Sequence, residues 1–158
     1  MKKLKIYLET TVFNWYFEPE RGFNQEIRQL FDEIAAGRLE AYASQYVVQE
    51  LALAKEPRLS EAMSLLQRYP ITLLERSQET AEMARLYADY GVISEKHELD
   101  RLHLACTTVN GLDAIISFNF THINRRWTME KVEAVNKLNG YNNITINLPM
   151  EVITYEEP

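Results

Sequence analysis

The chain has 158 residues, 46% hydrophobic and 25% charged, with a formal net charge of −6; that length suits a single domain, residues 1–158, able to bury a core without staples, and the composition excludes disordered, collagen-like and coiled-coil classes. A single cysteine, Cys106, excludes a disulfide framework and any cysteine-based zinc site. The longest uncharged run, the 13 residues from Leu138 to Met150, is too short and too polar to cross a bilayer, and no apolar segment follows Met1-Lys2-Lys3 as in a signal peptide, so a cytoplasmic protein with no membrane contact is expected.

In chain order, Leu4 to Leu8 alternates with aliphatic residues at even positions and predicts a strand. Glu9-Thr10-Thr11 ends it, and Val12 to Phe17 opens a short aromatic-rich helix. Asn24 is placed to cap a helix through Ile27, Leu30, Phe31 and Ile34, stopped by Gly37. Glu40 to Ala43 reads as a second strand, and Ser44 caps a helix carrying Val47, Val48 and Leu51 that ends near Pro57. Leu59 to Tyr69 is amphipathic, Ile71 to Leu74 is a third strand, and Ser77 to Tyr90 is helical up to Gly91. Leu99, Leu102, Cys106 and Val109 mark one face of a further helix, closed by Gly111. Ala114 to Ser117 is a continuous apolar run of the buried parallel kind. A helix from Trp127 to Asn139 and a strand at Ile144 to Ile146 complete the chain. Alternation of this sort predicts βαβ units and a parallel sheet covered on both faces. Neither a Gly-x-Gly-x-x-Gly turn nor a Gly-x-x-x-x-Gly-Lys loop is present, which excludes the common nucleotide cradles.

Sites in open parallel sheets lie at the carboxyl ends of the strands. Glu9 follows the first strand, Asn119 lies two residues past the fourth, Glu50 sits on the helix after the second, and Asp100 is in the first turn of its helix. Three carboxylates and a carboxamide from four elements can meet at one edge, where hard oxygen ligands suit Mg²⁺ or Mn²⁺ and such ions activate water against a phosphodiester. A metal in an acidic pocket would also let a chain of negative net charge admit a polyanion. Each residue has a plainer alternative. Asp100 is favoured near a helix start by the macrodipole, Glu50 serves as a polar helix position, and Asn119 can cap the turn at Phe120. Glu9, at the end of a buried strand, has the least ordinary place.

The run Ile6-Tyr7-Leu8-Glu9-Thr10-Thr11-Val12-Phe13-Asn14 resembles the opening of PIN-domain proteins, an apolar strand ending in an acid followed by hydroxyl residues. Tyr46-Val47-Val48-Gln49-Glu50-Leu51 resembles their second motif and Asp100-Arg101-Leu102-His103-Leu104-Ala105 their third. Ile116-Ser117-Phe118-Asn119-Phe120-Thr121-His122-Ile123 is similar to the fourth in one branch, which Val135 to Tyr141 also fits. The resemblance spans essentially the whole chain. It implies a three-layer α/β/α fold with a mostly parallel central sheet and a Mg²⁺- or Mn²⁺-dependent nuclease acting on single-stranded RNA, as in toxin–antitoxin ribonucleases of the VapC type. It also implies an antitoxin protein as partner. Glu9, Glu50 and Asp100 take the acidic, metal-holding roles, Asn119 falls where many relatives have a fourth aspartate, and Thr11 supports the first acid. Glu9 departs from the usual aspartate by one methylene and Asn119 carries no charge. A non-catalytic RNA- or protein-binding module on the same fold and a metal-dependent small-molecule phosphatase are the alternatives. His103 and His122 read as hydrogen-bonded structural residues, Cys106 as core and Asp113 as a turn residue. Arg125, Arg126 and Lys131 are candidate phosphate contacts or a solvated helix face. The aromatic run Val12 to Phe17 exceeds what one short helix easily buries and predicts a homodimer, with a fully buried core helix as the alternative.

Overall fold

The computed structural model describes residues 2–154. The strands are β1 (Leu4–Leu8), β2 (Leu39–Ser44), β3 (Ile71–Leu74), β4 (Ala114–Ile116) and β5 (Thr145–Asn147). They form one sheet in the order β3-β2-β1-β4-β5, and every pairing is parallel. The helices are α1 (Thr10–Tyr16), α2 (Asn24–Ala35), α3 (Gln45–Leu51), α4 (Arg58–Arg68), α5 (Gln78–Asp89), α6 (Glu98–Val109) and α7 (Arg126–Leu138). They cover both faces of the sheet, which gives the three-layer α/β/α arrangement expected from the alternation of the sequence.

β1 is the centre of the sheet. Ile6, Tyr7 and Leu8 are wholly buried, so this strand is apolar or aromatic on both faces, as a doubly covered parallel strand must be. The chain leaves β1 for β2 and β3 on one side and then crosses to β4 and β5 on the other. The order therefore reverses at β1, and the crevice for a ligand opens beyond the carboxyl ends of β1 and β4. Glu9 Nα donates to the Ile116 carbonyl at 3.1 Å, which ties the two strand ends together at that point.

Side-chain caps place three of the helix starts, those of α1, α3 and α5. Ser44 Oγ accepts from Tyr46 Nα at 3.1 Å and Ser77 Oγ from Thr80 Nα at 3.1 Å, each relieving an orphan amide of the first turn. Three elements differ from the sequence reading. Asn24 is the first residue of α2, and its cap is Phe23, held at φ 58°; the Asn24 side chain turns instead to the Tyr16 carbonyl and to Arg28. The helix begun at Ser44 stops at Leu51, because Ala52, Leu53 and Ala54 close successive tight turns onto Val48, Glu50 and Leu51. In α6 the most buried side is not Leu99–Leu102–Cys106–Val109. Arg101, His103 to Thr108 are buried while Leu99, Leu102 and Val109 are half-buried, because α6 is packed between α5, β4 and α3.

The aromatic run in α1 divides between two sides. Val12, Phe13 and Tyr16 are buried, Phe13 and Tyr16 both edge-on to Phe31. Trp15 faces the other way and stacks on Phe118 with ring centroids 4.1 Å apart.

Candidate functional site

Glu9 follows β1 directly and is the N-cap of α1. It is 2% exposed. Its Oε1 accepts from Thr11 Oγ1 at 2.5 Å, Thr11 Nα at 3.3 Å and Ser117 Oγ at 2.7 Å. The carboxylate folds back over its own helix start, as an N-cap does. Burial lifts the Glu9 carboxyl above the ordinary range, opposed by the His103 charge and by the Thr11 and Ser117 hydroxyls. Thr11 passes the arrangement on, since its Oγ1 also accepts from Phe118 Nα at 2.8 Å.

Glu50 projects from α3. Its Oε1 accepts from Thr10 Oγ1 at 2.7 Å and contacts His103 Nε2 closely. Burial works to raise the Glu50 carboxyl, but the His103 hydrogen bond and charge outweigh it, and the group titrates below the usual glutamate range. His103 shows the converse. Burial disfavours its charged form, yet the hydrogen bond and charge of Glu50, with Glu9 and Asp100 beyond, hold its pKa above the ordinary value. Both directions describe an ion pair of Glu50 carboxylate with His103 imidazolium.

His103 is wholly buried, a hydrogen-bonded histidine as the sequence reading has it, and it also positions the site. Its Nδ1 lies 2.6 Å from the Tyr7 hydroxyl, which lies 2.6 Å from Ser44 Oγ. A chain of hydrogen bonds thus runs Ser44–Tyr7–His103–Glu50–Thr10 through β2, β1, α6, α3 and α1. With all three carboxylates ionised and His103 protonated, the centre has three negative charges against one positive.

Glu9, Glu50 and His103 present ligand atoms within 4.8 Å of one another. Asp100 does not join that group. It stands on the α6 side, raised above the usual aspartate range chiefly by burial, with His103, Glu50 and His122 all acting on its charge. Asn119 Nδ2 donates to Asp100 Oδ1 at 3.2 Å and its Oδ1 accepts from His122 Nα at 3.0 Å. The carboxamide therefore both closes the turn after β4 and braces Asp100.

Beside Thr11 and Asn119 opens a cleft of about 770 Å³. Trp15, Phe118 and Phe120 form one wall, and Arg21, Lys55 and Arg58 contribute positive charge. Arg21 and Arg58 both pair with Glu18, at 3.2 Å each, and Arg21 also lies over the Trp15 ring. Phe120 is 48% exposed. Lys55 and Arg58 lie three residues apart at the approach to α4, but Arg21 lies 34 residues before Lys55, so spacing gave no sign that the three meet; the alternation Phe118-x-Phe120 around Asn119 is the one local signal.

Arg125, Arg126 and Lys131 do not reach this cleft. Arg125 bonds Thr128, Arg126 pairs with Glu130 across one helical turn at 2.8 Å, and Lys131 lies on the Trp127 ring and reaches the Tyr90 carbonyl. Cys106 is buried core, and burial pushes its thiol up to about 12. Asp113 Oδ2 accepts from Lys5 Nα at 2.8 Å at the head of β4, a turn role.

No family model matches the chain, and no curated protein sequence does. Ten chains of solved structures match. Among them is a chain of the crystal structure of VapBC2 from Rickettsia felis bound to a DNA fragment from their promoter, with a TM-score of 0.55 and 11% identity over 92% of this chain and 98% of that one. The likeness is one of fold, and the fold shared is the PIN-like three-layer α/β/α arrangement.

Proposed function

We propose that the protein is a divalent-metal-dependent endoribonuclease acting on single-stranded RNA, with Glu9, Glu50 and Asp100 as its acidic centre. The observation that supports it most is how the carboxylates are held. The hydrogen bonds to Glu9 all go to Oε1, and so do those to Glu50. Each has a second oxygen left over near the switch point of the sheet; Glu9 is bonded to Thr11, which lines the aromatic and cationic cleft, and Glu50 lines a separate hollow with His97 and Asp100. That donor set fits Mg²⁺ or Mn²⁺, hard ions that take carboxylate oxygens and keep several waters. When bound, such an ion neutralises phosphate charge and lowers the pKa of a bound water.

The chain's own residues supply the rest. Glu9 and Glu50 hold the cation, and Asp100 adds charge from the α6 side. Thr11 and Ser117 fix the Glu9 rotamer, and His103 fixes Glu50 while offsetting one of the three negative charges. Asn119 braces Asp100. Arg21, Lys55 and Arg58 draw the polyanion in, and the exposed Phe120, with Trp15 behind it, offers a surface on which unpaired bases lie, a sequence-tolerant contact of single strands. The choice of RNA over DNA and an antitoxin partner rest on the family resemblance, to which the VapBC2 fold likeness lends support, and a homodimer rests on the aromatic run Val12 to Phe17. No helix among the described residues is long and apolar enough to cross a membrane, in keeping with a cytoplasmic role.

The test is cleavage of a single-stranded RNA with Mg²⁺ or Mn²⁺, with chelator as control. Glu9→Gln and Glu50→Gln are each expected to abolish cleavage, and cutting that survives chelation or Glu50→Gln overturns the reading. One observation favours a second reading, a module that binds RNA without cutting it: Asn119 is neutral and its oxygen is engaged by His122 Nα. Binding of the RNA with no cleavage under any divalent ion would select it.

A further inference from the structure

The histidines of the chain are of two kinds. His103 has both ring nitrogens occupied, by Tyr7 and Glu50. The rings of His97 and His122 stack on each other with centroids 3.8 Å apart, and no ring nitrogen of either makes a hydrogen bond to a protein group among the described residues. One nitrogen from each ring and one carboxylate oxygen of Asp100 lie within 4.8 Å of one another.

We propose that His97, Asp100 and His122 form a second metal site, selective for a divalent transition ion of the zinc type over Mg²⁺. Two imidazoles and one carboxylate are the ligand set of borderline ions, whereas Mg²⁺ takes oxygen. His97 holds the N-cap position of α6 with no capping bond from its side chain, and Asp100 lies three residues on in the first turn, close enough for both to offer ligand atoms. His122 comes from the turn between β4 and α7.

Both histidine backbones are held in place. Arg101, buried in α6, donates to the Ile93, Ser94 and Glu95 carbonyls and so clamps the loop that delivers His97, whose own amide donates to the Ser94 carbonyl at 3.0 Å. His122 Nα donates to Asn119 Oδ1 at 3.0 Å, and its carbonyl accepts from Thr128 Oγ1 at 2.5 Å. Glu98 and Asp100 in the first turn offset the positive end of the helix dipole. Three protein ligands leave coordination positions open for water or substrate, as in catalytic zinc sites. Asp100 is common to this site and to the proposed nuclease centre, but the inference stands on the two histidines and does not depend on RNA cleavage.

The test is titration of the full chain with Co²⁺, read by its visible ligand-field absorption, followed by displacement with Zn²⁺ or Mg²⁺. A saturable one-to-one spectrum is expected, displaced by Zn²⁺ and not by Mg²⁺ in about a hundredfold excess, a discrimination set by the imidazole ligands. His97→Ala and His122→Ala should each weaken binding by more than about tenfold, the least that losing even an outer partner of a ligand costs. Glu50→Gln should leave the spectrum unchanged while abolishing cleavage, which separates failure of this site from failure of the nuclease reading. Cooperative melting checks each variant, and His97→Gln replaces His97→Ala if that variant does not fold. A spectrum that survives both histidine substitutions, disappears in Glu50→Gln, yields to Mg²⁺ as readily as to Zn²⁺, or never departs from that of aqueous Co²⁺ overturns the proposal.

Discussion

Tyr7→Phe removes one oxygen from the middle of the buried hydrogen-bond chain and changes almost nothing else. The ring is wholly buried, and phenylalanine fills the same space. What is lost is the 2.6 Å contact with His103 Nδ1 and the 2.6 Å contact with Ser44 Oγ. Ser44 keeps its bond from Tyr46 Nα. His103 Nδ1 is left buried with nothing to bond, and an orphaned polar group of this kind costs about 1–3 kcal/mol, more when charged. Adding the lost bond, roughly 3 kcal/mol is expected, which in a domain of this size lowers Tm by about 6–12 °C. Because an imidazolium needs an acceptor at both nitrogens, the deficit should be larger at pH 6 than at pH 9. The assay is urea denaturation and thermal melting of both proteins at the two pH values. A loss below about 0.5 kcal/mol, or one equal at both pH values, would refute the reasoning that Tyr7 holds a charged His103.

Three further outcomes are expected. In chelator, the protein should melt at progressively lower temperature as pH rises from about 5 to 8: Glu9, Asp100 and His103 all have raised folded pKa values, so the stability they contribute is full below their unfolded values and lost as pH rises through the folded ones. Glu50, lowered, sets the acid limit, its contribution disappearing as pH falls through its folded value; melting that rises over that range would contradict these directions. Asn119→Asp puts a carboxylate against Asp100 in place of an amide donor, so metal-free stability should fall while divalent binding, by calorimetry, tightens more at pH 8 than at pH 6; the extra attraction is worth several kcal/mol at about 4 Å, less the repulsion among crowded acids, and unchanged binding at pH 8 would mean that position 119 does not face the cation. Phe120→Ala should weaken binding of a single-stranded oligonucleotide by about 1–3 kcal/mol, roughly 5- to 150-fold, with loss of any quenching of Trp15 fluorescence; equal affinity would remove the aromatic wall from the binding path.

The element order was legible because the strands are short and the helices after β1, β2 and β3 start at an acid or a serine, Glu9, Ser44 and Ser77. Glu9 was legible for the same reason: a carboxylate ending a buried strand has few ordinary uses. The cap of α2 was not, since Asn24 has the composition of a cap while its side chain finds Tyr16 and Arg28. The buried side of α6 was misread because periodicity marks a single stripe and this helix is enclosed on more than one side. Reading His103 as a hydrogen-bonded structural residue was right about its bonds, but its partners, Tyr7 and Glu50, lie 96 and 53 residues away in sequence. Arg21, Lys55 and Arg58 were invisible as a group because only tertiary folding brings the turn at Arg21 to the segment carrying Lys55 and Arg58. The spacing of His97 and Asp100 was the one overlooked local sign, three residues apart at a helix start.

The reversal of strand order at β1 has a consequence for when the molecule becomes competent. β1 and β2 pair across about 35 residues of chain, whereas β1 pairs with β4 across 108. The Ser117 bond to Glu9 and the Phe118 bond to Thr11 span 108 and 107 residues. Non-local closures of this kind come late, because loop entropy must be overcome before they form. During vectorial synthesis, Glu9 and Glu50 emerge early but have no fixed geometry until the segment around Ser117 has left the ribosome. An unfinished chain that lacks the segment around Ser117 therefore carries Glu9 and Glu50 without the bonds that fix them, and the proposed centre can assemble only during the last quarter of synthesis.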